Sequence, residues 1–244
     1  MNRYYYDLHV HSCLSPCGDD DSTPNNIAGM ATLCGLNIVA LTDHNTTKNC
    51  PAFFAAAKKY GLIPIAGMEL TTSEDIHVVC LFETLEDATA FDEYVSKRRL
   101  PIDNRPEIFG KQQILDENDE VIGEERYLLI NATSISIDET VSLVREYGGV
   151  CYPAHIDRES NGAVAVLGAF PDWLGYTSYE LSATGVKADE EEKNPGIKSL
   201  RCVVSSDAHY LWDISEAENY FLLEDEPYSS AAVRNKLIDM LEGI

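Results

Sequence analysis

The sequence predicts an α/β fold built on a mainly parallel sheet or barrel. Short β-branched or aromatic runs alternate with helix-like segments through the first half of the chain, as in successive βα units. The 244 residues are 45% hydrophobic, which suffices for one large core, and we therefore expect a single domain over residues 1–244.

Capping and turn residues define the first elements. YYYDL (4–8) is the first predicted strand, and Thr23 with Pro24 marks the start of a helix that ends at Gly35. The next predicted elements are the strand NIVAL (37–41), a helix from Asn49 to Gly61, the strand in LIPIAG (62–67), the strand IHVVCLF (76–82) and a helix from Thr84 to about Arg99.

The rhythm changes over about 100–130. There the polar turn DEND (116–119) lies between apolar flanks, which predicts a hairpin-like insertion too short to hold its own core. The predicted elements beyond it are a helix from Ser136 to Gly148, the strands GVCYP (149–153), SYELS (178–182), RCVVSSD (201–207) and ENYFLLE (218–224), an acidic surface loop ADEEEKNPG (188–196) and a helix over about 229–242.

Composition and charge disfavour several classes of protein. No run approaches the ~18 to 20 apolar residues of a membrane span, and MNRYYYDLHV lacks the apolar core of a secretory signal. Seven scattered cysteines are typical of reduced thiols in a cytoplasmic protein, and Cys13 with Cys17 lacks the second pair of a zinc finger. The net charge of −23 disfavours duplex nucleic acid, because polyanion binding needs a basic face.

Five of the six histidines occupy one kind of position. They lie at or just after the C-terminal ends of predicted strands: His9, His11, His44, His155 and His209. His77 is the exception, because it begins its strand. In β/α barrels the strand C-termini converge on one face, where the active site lies. The sequence therefore predicts that these distant residues meet in one site.

Carboxylates accompany these histidines in combinations that divalent metals prefer. His9 and His11 would point to the same face of a strand and could bind one ion together. Asp207 and His209 repeat that spacing, and Glu69 could bridge two cations through its two oxygens. Mixed imidazole and carboxylate ligands suit Zn, Mn or Fe.

Six segments together resemble the PHP family (polymerase and histidinol phosphatase domain), especially its stand-alone metal-dependent phosphoesterases. The segments are DLHVHS (7–12), TDHN (42–45), GMEL (67–70), His77, PAHIDR (153–158) and SSDAH (205–209). Each is weak alone, whereas all of them in the family's order are specific. The resemblance implies a distorted (β/α)7 barrel with two or three divalent metal ions at the strand C-termini.

The resemblance also implies how the ligands are shared among these ions. One ion would be held by His9, His11, Glu69 and Asp207, a second by Glu69, His77 and His155, and a third by His44, His209 and one residue of the loop after His11. That loop departs from the family pattern, since Pro16 and Cys17 stand where many members carry a histidine or an aspartate. We favour Asp20 over Asp19 on chain reach, and both over Cys17, because the other ligands are hard N and O donors.

Two further aspartates are predicted to support ligands and not to bind metal themselves. Asp43 adjoins His44 on an extended segment, so their side chains face opposite ways, and metal-bound imidazoles need hydrogen-bonding partners. Asp7 is predicted to be a buried partner of a ligand or, alternatively, a strand-end cap for nearby amides.

The predicted activity is hydrolysis of a phosphate ester of a small molecule, a nucleotide or a short oligonucleotide end, with a metal-activated hydroxide as the nucleophile. Arg158 is the candidate phosphate clamp, with a surface ion pair to Asp157 or Glu159 as the alternative. Lys48 and Lys111 are weaker candidates. Two other functions stay open: a non-catalytic module that binds metal or a partner, and hydrolysis of a C–N bond by the same chemistry.

Overall fold

Ten strands and eight α-helices make up the protein in a computed structural model that describes residues 1–244. The strands are β1 (Asn2–Val10), β2 (Ile38–Leu41), β3 (Ile63–Thr71), β4 (His77–Phe82), β5 (Gln113–Leu115), β6 (Val121–Glu124), β7 (Gly149–Pro153), β8 (Ser178–Leu181), β9 (Arg201–Val204) and β10 (Tyr220–Leu223). The helices are α1 (Pro24–Leu33), α2 (Cys50–Tyr60), α3 (Leu85–Ser96), α4 (Pro106–Phe109), α5 (Ile137–Glu146), α6 (Ala163–Leu167), α7 (Lys187–Lys193) and α8 (Ser230–Glu242).

Six strands form one sheet in the order β10–β1–β2–β3–β4–β7, and β8 pairs with β9. The β1–β2, β2–β3 and β8–β9 pairs are parallel, whereas β10–β1, β3–β4 and β4–β7 are antiparallel. The α/β class is confirmed, but the sheet is mixed and not mainly parallel. Seven regular βα repeats are not seen, because no helix separates β3 from β4.

The reversed direction of β4 explains the position of His77. Thr71, at the end of β3, pairs with His77, at the start of β4. The start of β4 therefore lies at the same end of the sheet as the C-terminal ends of β1, β2 and β3. β7 is antiparallel to β4 and ends at Pro153, opposite Val78. The segment that contains His155 therefore begins at this same end of the sheet.

The helix boundaries follow the predicted caps. The side-chain oxygens of Thr23, Thr84 and Ser136 accept hydrogen bonds from the first turns of α1, α3 and α5. Gly61 ends α2 in the left-handed conformation. The insertion contains the predicted hairpin, β5 and β6, together with the short helix α4, which the sequence pattern did not indicate.

One predicted loop is a helix. Most of ADEEEKNPG belongs to α7, because Glu190 turns inward and is buried instead of joining a solvated acidic run. Its carboxylate accepts a 2.6 Å hydrogen bond from Lys193, one turn later.

Both faces of the large sheet are covered. On one face, buried residues of β1 to β4 pack with those of α1, α2, α3 and α5, and on the other face the sheet packs against α8. The site described below lies where the strand ends emerge between these layers. No helix combines the length and the apolar character that crossing a bilayer requires.

Candidate metal centre

The histidines of the chain surround one buried carboxylate, that of Glu69 near the end of β3. Its two oxygens lie within 3.3 Å of a ring nitrogen of five histidines. The distances are 3.3 Å to His9 Nε2, 3.3 Å to His11 Nε2, 2.9 Å to His44 Nδ1, 2.7 Å to His77 Nδ1 and 3.2 Å to His155 Nε2. The remaining histidine, His209, stacks on His11 with ring centroids 4.1 Å apart.

A close approach between strands positions Glu69. Gly67 lies two residues earlier in β3, and a Cβ atom there would come within 2.8 Å of the carbonyl oxygen of Cys80 in β4. Only glycine therefore lets β3 and β4 approach this closely beside the site.

Three groups of donor atoms are close enough to hold a metal ion, with the atoms of each group within 4.8 Å of one another. The groups are His9, His11, Glu69 and Asp207; His44, Glu69 and His77; and His11, His44 and His209. The first is the set that the PHP resemblance implies. The second contains the expected Glu69 and His77 and adds His44, whereas His155 contacts Glu69 beside it. The third contains the expected His44 and His209, with His11 as its third member.

Asp20 is not brought to any of these groups. Its side chain is 64% exposed, and its carboxylate lies 4.0 Å from Lys111 of the insertion. Asp19 belongs to none of the groups either, and its carboxylate accepts the N–H of Asp21 at 2.8 Å. Cys17 is exposed. Contrary to the expectation, Asp20 therefore does not complete the third group.

The donor atoms fit divalent cations. His44 Nδ1, Glu69 Oε2, His155 Nδ1 and Asp207 Oδ1 are buried without a hydrogen-bond partner. His44 Nδ1 and Glu69 Oε2 are 2.9 Å apart, yet they are not aligned as a hydrogen bond. Because buried polar atoms are costly when unpaired, those of His44, Glu69 and Asp207, which belong to the donor groups, indicate a cation site. Nitrogen and oxygen donors of this kind suit Zn, Mn or Fe.

Hydrogen bonds fix the orientation of two imidazoles. His9 Nδ1 lies 2.9 Å from Glu180 Oε1, and His11 Nδ1 lies 2.9 Å from the Ser15 hydroxyl. Ser15 in turn donates to Asp43 at 2.7 Å. In both histidines Nε2 therefore faces Glu69 and Asp207. Asp43 supports His11 through Ser15.

Asp7 adopts the second of its two predicted roles. It is buried and contacts no imidazole, and its carboxylate accepts the backbone N–H groups of His9, Ser206 and Ser215 at 3.4, 3.1 and 3.0 Å. It thereby fastens the segment after β9, which carries Asp207 and His209, to the end of β1.

Charges within the site shift the pKa values of its members. Burial lowers the pKa of His44 to about 4 and that of His209 to about 3. Burial opposes the positive form of His11 as well, but Asp207 and Glu69 raise its pKa to about 9. Burial would raise the pKa of Glu69, yet the neighbouring imidazoles hold it well below its usual range. At neutral pH the carboxylate is therefore charged and His44 and His209 are neutral, which are the forms that bind cations.

The site opens into a cavity of about 190 Å³ lined by polar residues alone. Arg158 lies at its wall with a side chain that is 41% exposed, and its guanidinium donates to the Asp207 carboxylate. Neither Asp157 nor Glu159 is its partner, since Asp157 accepts from Ser182. Lys48 pairs with Glu125 of the insertion, and Lys111 lies 4.0 Å from Asp20. Neither lysine lines the cavity.

Comparison with known proteins identifies the family. The family model of the PHP domain matches residues 7–157, which is more than half of the chain. This chain belongs to the PHP domain family. One relative of this PHP protein is the 5′-3′ exoribonuclease of Haemophilus influenzae, which is 37% identical over 79 residues, or 31% of this chain. The match spans 28% of the length of that relative.

Solved structures share the fold of the PHP protein. The lesion-specific endonuclease PfuEndoQ from Pyrococcus furiosus matches all of this chain and 56% of its own, with a TM-score of 0.72 and 18% identity. A proposed metal-dependent phosphoesterase from Bifidobacterium adolescentis matches 97% of this chain and 96% of its own, with a TM-score of 0.60 and 19% identity. Likeness at this level of identity establishes a common architecture.

Two residues of this PHP site were not predicted from the sequence. Glu180 was part of a predicted strand, and its signal was a charged residue within the buried run SYEL, since buried glutamates are almost always paired. Ser15 carried no such signal, because serine is frequent in loops whether or not it contacts a ligand.

Proposed function

We propose that this PHP protein is a metal-dependent hydrolase that cleaves phosphate esters of small molecules, nucleotides or short oligonucleotide ends. The observation that carries the proposal is the buried Glu69 carboxylate with five imidazoles around it and Asp207 at 3.3 Å or less from two of them. Unpaired donor atoms on residues that line one polar cavity support a catalytic centre and not only a structural ion.

We assign the ligands of two or three Zn, Mn or Fe ions from the donor groups. The first ion would be held by His9, His11, Glu69 and Asp207, the second by Glu69, His77 and His155 with His44 adjacent, and the third by His44 and His209 beside His11. Divalent ions, when bound, activate water as a nucleophile and offset the charge of phosphoryl oxygens.

Arg158 is the residue that we expect to bind the substrate phosphate. Its planar guanidinium can donate to two phosphoryl oxygens at once, and its partly exposed position at the cavity wall leaves it accessible. The pairing with Asp207 holds the guanidinium beside the donor groups, where a reacting phosphate would lie.

The net charge supports a small substrate, and the free cysteines support a cytoplasmic location. A net charge of −23 disfavours long duplex nucleic acid, whereas a small phosphate ester is drawn in locally by cations and Arg158. The seven cysteines are free thiols, four of them buried, which suits the reducing cytoplasm.

We further infer that residues 1–244 form one PHP domain in which about 100–130 are an insertion. Cys17 N donates to Phe109 O at 3.2 Å, and Gln113 N donates to Cys13 O at 3.3 Å. Glu125 of the hairpin pairs with Lys48. The insertion is thereby fastened to the loops that follow β1 and β2, which are the loops that carry ligands.

The experiment that tests the function measures phosphate release by the Mn²⁺- or Zn²⁺-loaded protein. The panel contains small phosphomonoesters, nucleoside 3′- and 5′-monophosphates and short oligonucleotides. We expect release from at least one class and a rate at least ~100-fold lower for Asp207→Ala, while Asp103→Ala, which alters an exposed aspartate of the insertion, keeps full activity. Full metal content without phosphate release from any member of the panel would contradict the proposal.

A further inference from the structure

Glu180 lies outside the three donor groups but touches two residues of the centre. It stands in the middle of β8 and is buried. Its Oε1 oxygen lies 2.9 Å from His9 Nδ1 and accepts the backbone N–H of His155 at 3.2 Å. A single carboxylate oxygen therefore contacts a residue of β1 and a residue that follows β7.

The contact with His9 determines which ring nitrogen faces the centre. His9 Nε2 lies 3.1 Å from His11 Nε2, 3.3 Å from Glu69 Oε1 and 3.3 Å from Asp207 Oδ1. Glu180 Oε1 accepts the N–H of His155, and the same oxygen accepts from His9 when the ring proton is on Nδ1. The lone pair of Nε2 is then available to a cation, and the ring cannot rotate without losing the bond to Glu180.

The contact with His155 supports an unfavourable backbone conformation. His155 has φ of 28°, in the left-handed region that residues with a Cβ atom rarely adopt. Two further bonds join the same segment to β8 and its end. Ile156 N donates to Glu180 O at 2.9 Å, and the N–H of Ser182, just after β8, donates to the Asp157 carboxylate at 2.8 Å. The side chain of Glu180 thus adds to other hydrogen bonds that hold this segment, in which His155 Nε2 lies 3.2 Å from Glu69.

We propose that Glu180 is a positioning residue that fixes the tautomer and orientation of His9 and holds the backbone of His155. Its contribution is to preorganise two ligands for metal binding, without touching the substrate. This inference rests on the metal centre of the proposed function and not on the identity of the substrate. Loss of such a partner of a metal-bound imidazole costs about 10- to 100-fold in metal affinity.

The test compares Glu180→Gln with Glu190→Gln. Both glutamates are buried, but Glu190 lies in α7 and pairs with Lys193, away from the histidines. Zn²⁺ affinity is measured by competition with a chelating dye, and circular dichroism monitors folding. We expect Zn²⁺ binding to weaken about 10- to 100-fold in Glu180→Gln and by less than twofold in Glu190→Gln. We also expect excess Zn²⁺ to restore most of the rate of phosphate release in Glu180→Gln. Unchanged Zn²⁺ affinity in folded Glu180→Gln would overturn the proposal.

A measurement on the unmodified chain covers the case in which Glu180→Gln fails to fold. Long-range ¹H–¹⁵N correlation spectra of the Zn²⁺-loaded protein report which nitrogen of His9 carries the proton. We expect a proton on Nδ1 and Zn²⁺ on Nε2, whereas Zn²⁺ on Nδ1 would overturn the proposal. A chain that binds no Zn²⁺ would overturn the proposed function as well, but a chain that binds Zn²⁺ and releases no phosphate would overturn the proposed function alone.

Discussion

Glu69 Oε1 lies 2.7 Å from His77 Nδ1, although the two residues belong to neighbouring strands that run in opposite directions. In the ladder between β3 and β4, Glu69 pairs with Val79, so His77 is its diagonal neighbour on the same face. A histidine at the start of an antiparallel strand can therefore join a site that is otherwise built from strand ends.

Substitution of Glu69 is expected to affect more ligands than any other single change. Glu69→Gln removes the charge that five imidazoles share, and we expect metal content to fall by at least about one ion per chain and the rate of phosphate release to fall at least ~100-fold. Elemental analysis of the dialysed protein provides the first readout. Retention of wild-type metal content would show that Glu69 is not a ligand.

Metal binding is expected to depend on pH. The pKa of His11 is about 9, so metal-free protein holds a proton there at pH 7 that a cation must displace. Apparent affinity should therefore rise about tenfold per pH unit for each displaced proton, up to about pH 9. Calorimetry in buffers of different ionisation enthalpy should detect the release of about one proton or more at pH 7. Binding without proton release would contradict this prediction.

The same raised pKa makes the metal-free protein sensitive to alkali. Because the pKa of His11 is above its unfolded value of 6.5, its protonation contributes stability that is fully present below pH 6.5 and is lost as pH rises through about 9. Denaturant unfolding of the metal-free protein should therefore show a lower free energy of unfolding at pH 9.5 than at pH 6.5. Equal values in this range would indicate that His11 has no such shift.

Arg158 is expected to act on substrate binding. Arg158→Ala should raise KM for the phosphate ester by about 10- to 100-fold, because a charge-assisted hydrogen bond to phosphate is lost. Metal content should stay at the wild-type value. Arg126→Ala is the matched control, since Arg126 is exposed and pairs with Asp103 of the insertion. Loss of bound metal from Arg158→Ala would show that the guanidinium supports Asp207 instead.

We expect substitutions of Asp20 and of His209 to have opposite effects on binding of the third ion. Asp20 is exposed, and we expect Asp20→Ala to keep the metal content and the rate of phosphate release within about twofold of wild type. His209 belongs to a donor group, and His209→Ala should lose about one ion at limiting metal concentration. The measurement is metal content after gel filtration. A lower metal content in Asp20→Ala than in the wild type would show that Asp20 is a metal ligand.

Local signals in the sequence were sufficient to predict much of this structure. Helix starts at Thr23, Thr84 and Ser136 depend on hydrogen bonds within one turn, and such bonds are determined by residue type and spacing. The gathering of His9 and Glu69 was predictable because strand C-termini converge in α/β folds.

Features that depend on long-range contacts were not predictable. The direction of β4 depends on its partners β3 and β7, and hydrophobic runs carry no information on direction. The exposed position of Asp20 depends on hydrogen bonds between its loop and the insertion, such as the one from Cys17 N to Phe109 O. The role of Glu180 depends on contacts with residues far away in the sequence.

Anomalous diffraction from crystals grown with Mn²⁺ tests most directly whether Glu69 bridges a multinuclear metal centre. We predict at least two anomalous peaks, each within bonding distance of a different oxygen of Glu69, and one of them also bonded to Nε2 of His9 and His11. Full Mn²⁺ loading with peaks only at acidic side chains on the surface, and none beside Glu69, would contradict it.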